Sequence, residues 1–207
     1  MSNTSHLQPG RFLLATTNKG KLREFRSLLS GWIPETEILS LGHFPPMDPP
    51  AETGDTFQEN ARIKAKYYSL KAKGIFVVAE DSGLVVPVLN GEPGVRSSRY
   101  AGPNATDREN LEHLLYQLTG RANRVAFFFT AGVVAMDGKI LFECQGRVNG
   151  EILKAARGNR GFGYDPVFYH PELNRSFAQI SSEEKNRVSH RGQAMTRIRD
   201  FLLKTAK

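Results

Sequence analysis

The chain has a single cysteine, Cys144, and a single tryptophan among 207 residues. One thiol cannot close an internal disulfide or supply a cysteine-rich metal site. No apolar run approaches the length of a membrane span, and residues 1–10 are polar, without the apolar segment of a secretory signal. The chain therefore reads as cytoplasmic, with no membrane partner, and the Asn-x-Ser/Thr triplets at Asn3, Asn104 and Asn174 carry no meaning in that compartment. Internal repeats, low-complexity tracts and linker-like breaks in composition are missing too. What remains is one globular unit, residues 11–207, behind a disordered leader at 1–10.

Positive charge is in surplus. Lysine and arginine number 28 against 21 acids, a formal net charge of +7. Such a field suits a nucleic-acid binder, and equally an enzyme whose substrate carries several phosphates. The 13 phenylalanines exceed what a core of this size requires and leave rings for stacking.

The most informative stretch is Ile75 to Gly83 (IFVVAEDSG), an apolar run leading into two acids, a hydroxyl and a glycine. It reads as a buried strand over Ile75 to Ala79 that delivers Glu80, Asp81 and Ser82 where the strand leaves the sheet. Active groups of open α/β sheets sit at such ends. Upstream, Arg11 to Thr16 reads as a first strand, and Leu22, Phe25, Leu28 and Leu29 mark one face of a helix that runs to about Ser30. Between them lies Thr17-Asn18-Lys19-Gly20-Lys21. A strand, polar loop and helix in that order form a phosphate-binding arrangement, because the helix start offers free N–H groups and a positive dipole. Ala15 stands where a Walker A loop requires its first glycine, so this is not that motif.

Further along, Glu37 to Leu41 reads as a strand and His43 to Gly54 as a proline-rich loop. Capping boxes at Thr56-Phe57-Gln58-Glu59, Thr106-Asp107-Arg108-Glu109 and Ser181-Ser182-Glu183-Glu184 predict three helix starts. The first helix extends to about Lys73 with Lys64 and Glu59 on its solvated face. The second buries Leu111, Leu114, Leu115 and Leu118, and the third holds Lys185. Leu84 to Leu89 reads as a separate strand before an Asn90-Gly91 turn. Arg124 to Met136 and Lys139 to Val148 read as a hairpin about Asp137-Gly138, which makes the sheet mixed. Gly158 to Pro166 (GNRGFGYDP) is a glycine-rich loop whose aromatics suit stacking on a flat ring. Ser189-His190-Arg191-Gly192 leads into a last helix with Ala194, Ile198, Phe201 and Leu202 facing inward.

Each block alone is weak. Thr16 to Lys21, Glu80 to Gly83, Gly161 to Pro166 and Ser189 to Gly192, in this order and with Glu59-Asn60-Ala61 and Glu184-Lys185 between them, are specific. Together they resemble the inosine/xanthosine triphosphate pyrophosphatase family over about Arg11 to Leu203. The resemblance implies an α/β fold, an elongated mixed β-sheet flanked by helices, with two lobes and a central substrate cleft. It implies magnesium-dependent hydrolysis of ITP, dITP and XTP to the monophosphate and pyrophosphate, by a homodimer with no nucleic-acid partner.

Carried over residue by residue, Asp81 activates water and binds the cation, and Glu80 is a further magnesium ligand. Thr16, Thr17, Asn18, Lys19, Gly20 and Lys21 form the phosphate loop, Lys64 adds a triphosphate contact and Ser82 touches substrate. Phe162 stacks on the purine, with Gly163, Tyr164 and Asp165 shaping the pocket, and Lys185, His190 and Arg191 address the base edge. One departure concerns the metal. Relatives carry two acids, or one placed a residue earlier, where this chain has Ala51-Glu52-Thr53-Gly54. Either Glu52 supplies a ligand from one residue along, or the ion is held by Glu80, Asp81, phosphate oxygens and water. The adjacent acids repel, so without metal one of the two carboxyls is expected to have a raised pKa. Two rival readings fit part of the pattern: a pyrophosphatase for other modified nucleotides, such as methylated pyrimidines, and a basic nucleic-acid-binding module. The second gives no reason for Glu80-Asp81, which would repel phosphate unless a metal intervened.

Overall fold

The computed structural model describes residues 11–29 and 37–205. The expected leader at 1–10 and the expected helix end at Ser30 lie outside the described residues. Seven strands form one sheet in the order β2-β1-β3-β4-β5-β6-β7. Strands β1 (Arg11–Leu14), β2 (Glu37–Ser40) and β3 (Phe76–Val85) are parallel. From β3 onward, through β4 (Val125–Met136), β5 (Lys139–Ile152), β6 (Phe168–His170) and β7 (Arg175–Ser176), every pairing is antiparallel. The fold is thus mixed α/β, with helices on both faces of the sheet.

Helix α2 (Phe57–Lys71) covers one face, packing Ala61, Ala65 and Tyr68 against Leu13, Val77, Ala79 and Val133. Helices α1 (Lys19–Leu29) and α5 (His190–Thr205) cover the other, where Phe25, Leu28, Ala194 and Ile198 meet Phe12, Leu14, Phe76 and Val78. Each large apolar side chain buried this way contributes roughly 1.5–3 kcal/mol relative to exposure. A third cluster, Leu84, Leu114, Leu118, Phe128, Phe168 and Phe177, holds α3 (Asp107–Gln117) and the short strands at the far end. The expected capping boxes of α2, α3 and α4 (Ser182–Val188) all form, each with its Ser or Thr side chain accepting the N3 amide.

Strand β3 departs from expectation. Glu80 to Gly83 is not a strand-to-turn junction, and Leu84 to Leu89 is not a separate strand. Glu80, Asp81 and Ser82 pair with Gly132, Ala131 and Thr130 of β4, so β3 continues to Val85 before a single short helical turn at Pro87–Leu89. The long antiparallel partner overrides the turn-like composition. The acids consequently sit in mid-strand, and neighbours in a strand point to opposite faces. The even-numbered residues Phe76 and Val78 face α1 and α5, whereas Val77 and Ala79 face α2. Glu80 and Asp81 continue that alternation. Strand β5 also outruns its expected end at Val148, and β6 and β7 have no counterpart in the sequence reading.

Candidate active site

The loop from β1 to α1 is built by its own side chains. Asn18 Oδ1 accepts the Lys21 N–H at 3.0 Å, capping α1, and Thr16 Oγ1 accepts the Asn18 N–H at 3.2 Å. Gly20 is buried beneath the Phe162 ring, and a Cβ there would stand 2.8 Å from it. The glycine thus lets the aromatic loop lie directly on the start of α1. Lys21 reaches Glu80 Oε1 at 2.6 Å. Lys19 is exposed.

On the α2 face, Lys64 was expected in solvent and is instead buried. Its ammonium lies 3.0 Å from Asp81 Oδ1 and 3.2 Å from Glu52 Oε1. Burial disfavours its charge, but Asp81, Glu52 and Glu80 outweigh that and raise its pKa. Burial pushes the Asp81 carboxyl up, against the opposing pull of Lys64 and Lys21. A raised carboxyl was expected, and its main cause is desolvation rather than the neighbouring acid. Glu59, also expected on the solvated face without a partner, caps α2 by accepting the Thr56 N–H at 3.1 Å. Asn60 ties these pieces together. Its side chain exchanges hydrogen bonds with Gly54 at 2.8 and 3.1 Å, pinning the Glu52 loop, and its amide stands 3.5 Å from Asp81 Oδ2.

Glu80, on the other face, is fully enclosed by partners. Besides Lys21 it takes a 2.5 Å hydrogen bond from Thr130 Oγ1 and lies 3.7 Å from Arg191 Nε. Burial raises its pKa, but Lys21 and Arg191 outweigh that and hold it far below the usual carboxylate range. Arg191 donates to Ser82 Oγ at 2.9 Å and pairs with Glu24. Lys185 donates to Glu24 at 2.7 Å and to Asp165 at 2.5 Å, while Asp165 also accepts the Phe162 N–H at 2.9 Å. His190 stacks on Phe128 with centroids 4.8 Å apart and 11° between planes. Burial, then Arg191 and Lys185, push its pKa well below the ordinary imidazole value, so the ring is neutral. Its Nδ1 is buried without a hydrogen-bond partner among the described residues. The α5 start can lie this close because Gly146 of β5 has no side chain: a Cβ there would be 1.9 Å from the His190 carbonyl.

A single cavity of about 390 Å³ joins these groups. Its wall includes Thr16, Thr17, Asn18 and Lys21 at the helix start, then Glu52, Lys64, Asp81 and Ser82 along one side. Phe162, Gly163, Tyr164, Asp165, Lys185, His190 and Arg191 complete it. Of the expected site residues, Lys19, Gly20 and Glu80 do not line it. Sequence reasoning missed Glu24, Thr130, Ser97, Ser98 and Asp107. Glu24 falls between Leu22 and Phe25 of an amphipathic helix and looked solvated, and its partners Lys185 and Arg191 lie far along the chain. Asp107 is visible in the α3 capping box, and its carboxylate also accepts the Gly163 N–H at 2.8 Å.

The convergence of Asp81 and Glu52 on one positive group is the donor chemistry a hard divalent cation takes. Among the described residues, no group of three or more His, Cys, Asp or Glu is placed to hold a metal. Two carboxylates therefore fit magnesium only as part of a shell completed by water and substrate oxygens.

A Ham1 family model matches residues 12–201. A protein of Desulfotalea psychrophila named dITP/XTP pyrophosphatase is 46% identical over 187 residues, covering 90% of this chain and 82% of that one. One of Geobacillus kaustophilus with the same name is 45% identical, covering 90% and 91%. The solved structure of the Staphylococcus aureus Ham1 protein superposes with a TM-score of 0.82 at 38% identity, covering 94% of this chain and 98% of that one.

Proposed function

The chain belongs to the Ham1 family, and from that premise we propose that it is a magnesium-dependent pyrophosphatase that hydrolyses ITP, dITP and XTP to the monophosphate and pyrophosphate. Its curated relatives are named for dITP and XTP. The observation that carries the proposal is the single cavity lined by three kinds of group: a helix start with Lys21, the carboxylates Asp81 and Glu52, and Phe162 with Lys185, His190 and Arg191.

In this reading the triphosphate lies toward the helix start, where Lys21 and the positive end of the α1 dipole neutralise the departing pyrophosphate. Asp81 takes a proton from the attacking water. Its raised pKa makes it a stronger base than an exposed aspartate, which is the direction general-base catalysis needs. A new bond forms from the water oxygen to the α-phosphorus, and the bridging oxygen leaves with pyrophosphate. Magnesium held by Asp81 and Glu52 would supply positive charge that draws electron density from the phosphate oxygens. Glu80 is reassigned from ligand to anchor: it fixes Lys21 and Arg191 from behind the cavity wall.

Phe162 stacks on the purine. The donors of Lys185 and Arg191, with the neutral His190 ring, favour a 6-keto oxygen over an adenine amino group. A buried donor left facing a donor costs about 1–3 kcal/mol. Action as a homodimer in the cytoplasm belongs to the same proposal, and light scattering of the purified protein checks the dimer. Among the described residues no helix is long and apolar enough to cross a membrane.

Hydrolysis of ITP in water labelled with heavy oxygen tests the reaction site. Label in the monophosphate supports attack at the α-phosphorus, and label in the released phosphates contradicts it.

A further inference from the structure

Lys64 occupies a position that the proposed chemistry does not explain. Its ammonium lies between the two carboxylates assigned to magnesium, 3.0 Å from Asp81 and 3.2 Å from Glu52. Those carboxylates come from separate elements, β3 and the loop ahead of α2, and that loop is held against α2 by Asn60. Lys21 does not stand in for Lys64, because Glu80 holds it at 2.6 Å on the opposite face of β3. Lys64 is thus the cation in ion-pair contact with Asp81 among the described residues.

We propose that Lys64 is a built-in counter-ion that fills the cation position between Asp81 and Glu52 in the metal-free enzyme and is displaced when a divalent cation enters. The inference rests on the reading of Asp81 and Glu52 as the metal-holding pair. Two carboxylates that face one point, Asp81 buried and Glu52 at the exposed rim, repel each other, and the tethered ammonium removes that repulsion while no metal is bound. It holds both acids aimed at one centre. A divalent cation must then compete with a neighbour that cannot diffuse away, which weakens metal binding to the nucleotide-free protein.

The displaced ammonium stays in the same cavity, on the helix face it shares with Tyr68, one turn further on. The polyphosphate is the anion available to it there. Metal binding therefore frees Lys64 for the triphosphate, and triphosphate binding draws Lys64 off the carboxylates. By linkage each ligand raises the affinity of the other by the same factor.

Manganese, a divalent cation detected directly by electron paramagnetic resonance, probes this without nucleotide and without turnover. Wild type, Lys64→Met, Lys64→Arg and Asp81→Asn are titrated at fixed pH and salt, with near-ultraviolet circular dichroism as the check on folding. Lys64→Met is expected to bind Mn2+ at least about tenfold more tightly than wild type, a difference of about 1.4 kcal/mol. Its metal-free form melts below wild type, and saturating Mn2+ restores most of that difference. Lys64→Arg, which keeps the charge, binds as weakly as wild type. Should Lys64→Met not fold, Lys64→Gln serves the same comparison.

Two results overturn the proposal and differ in what else they remove. If Lys64→Met binds Mn2+ no more tightly than wild type while Asp81→Asn abolishes binding, the counter-ion role fails and the metal pair stands. If Asp81→Asn binds Mn2+ as wild type does, the metal pair itself is wrong.

Discussion

Glu80 and Asp81 are neighbours in the chain but stand on opposite faces of the sheet, Glu80 bound to Lys21 and Thr130, Asp81 to Lys64. The pair of acids is therefore two separate devices. Asp81 opens on the cavity beside Glu52, whereas Glu80 sits behind the wall and holds the basic groups that do line it.

That division separates two substitutions. Asp81→Asn removes the proposed base and metal ligand but leaves a neutral side chain of the same shape. Turnover is expected to fall at least about a hundredfold, with the fold and some nucleotide binding retained. Glu80→Gln breaks a buried ion pair and leaves Lys21 without its anion and Arg191 with Glu24 alone, a loss of about 3–5 kcal/mol of stability. Denaturant melts together with initial rates distinguish them. An active Asp81→Asn enzyme would remove the assigned role.

Much of this architecture is legible in the sequence where its cause is local. Thr56 with Glu59, Thr106 with Glu109 and Ser181 with Glu184 specify helix starts within four residues, and all three form. The Asp137-Gly138 hairpin is equally local. Strand β3 is not legible past Ala79, because Glu-Asp-Ser-Gly has turn composition and only the pairing with β4 makes it a strand. The burial of Lys64 and Glu24 is hidden for a related reason. Each is a charged residue on an amphipathic helix, and the partners that stabilise it, Asp81 for one and Lys185 and Arg191 for the other, lie in distant elements.

The proposed base preference draws on His190 together with Lys185 and Arg191. The His190→Ala variant loses the neutral ring stacked on Phe128 and the buried Nδ1. The ratio of kcat/KM for ITP to that for ATP is expected to fall about ten- to hundredfold, the equivalent of one buried contact. An unchanged ratio would remove His190 from base readout.

Acid should destabilise the protein through Glu24 and Glu80. Both have folded-state pKa values depressed by basic partners, Arg191 and Lys185 for Glu24, Lys21 and Arg191 for Glu80, which outweigh burial. A depressed carboxyl contributes its full stability above its unfolded pKa of about 4.3 and loses it as pH falls toward the folded value. Stability from this source is therefore level above about pH 5 and declines below about pH 4. Glu24→Gln is expected to melt lower at neutral pH and to show a shallower acid decline. An acid limb identical to wild type would contradict this account.

Gly20→Ala tests the contact between the start of α1 and the aromatic loop. Alanine favours the helix, so any loss must come from its Cβ, which would meet the Phe162 ring at 2.8 Å. Moving the ring off its preferred rotamer costs about 0.5–1.5 kcal/mol. KM for ITP is expected to rise several-fold with stability little changed, and equal KM values would show that the ring position does not matter to binding.

In the proposed reaction one cavity cleaves a 6-keto purine triphosphate between its α- and β-phosphates. The most direct measurement is a panel of ITP, dITP, XTP, ATP, GTP and pyrimidine triphosphates, with and without magnesium, analysed for both phosphate products. The account predicts that ITP, dITP and XTP turn over fastest, releasing pyrophosphate and monophosphate only when magnesium is present. Fastest turnover of a pyrimidine triphosphate, or release of orthophosphate in place of pyrophosphate, would contradict it.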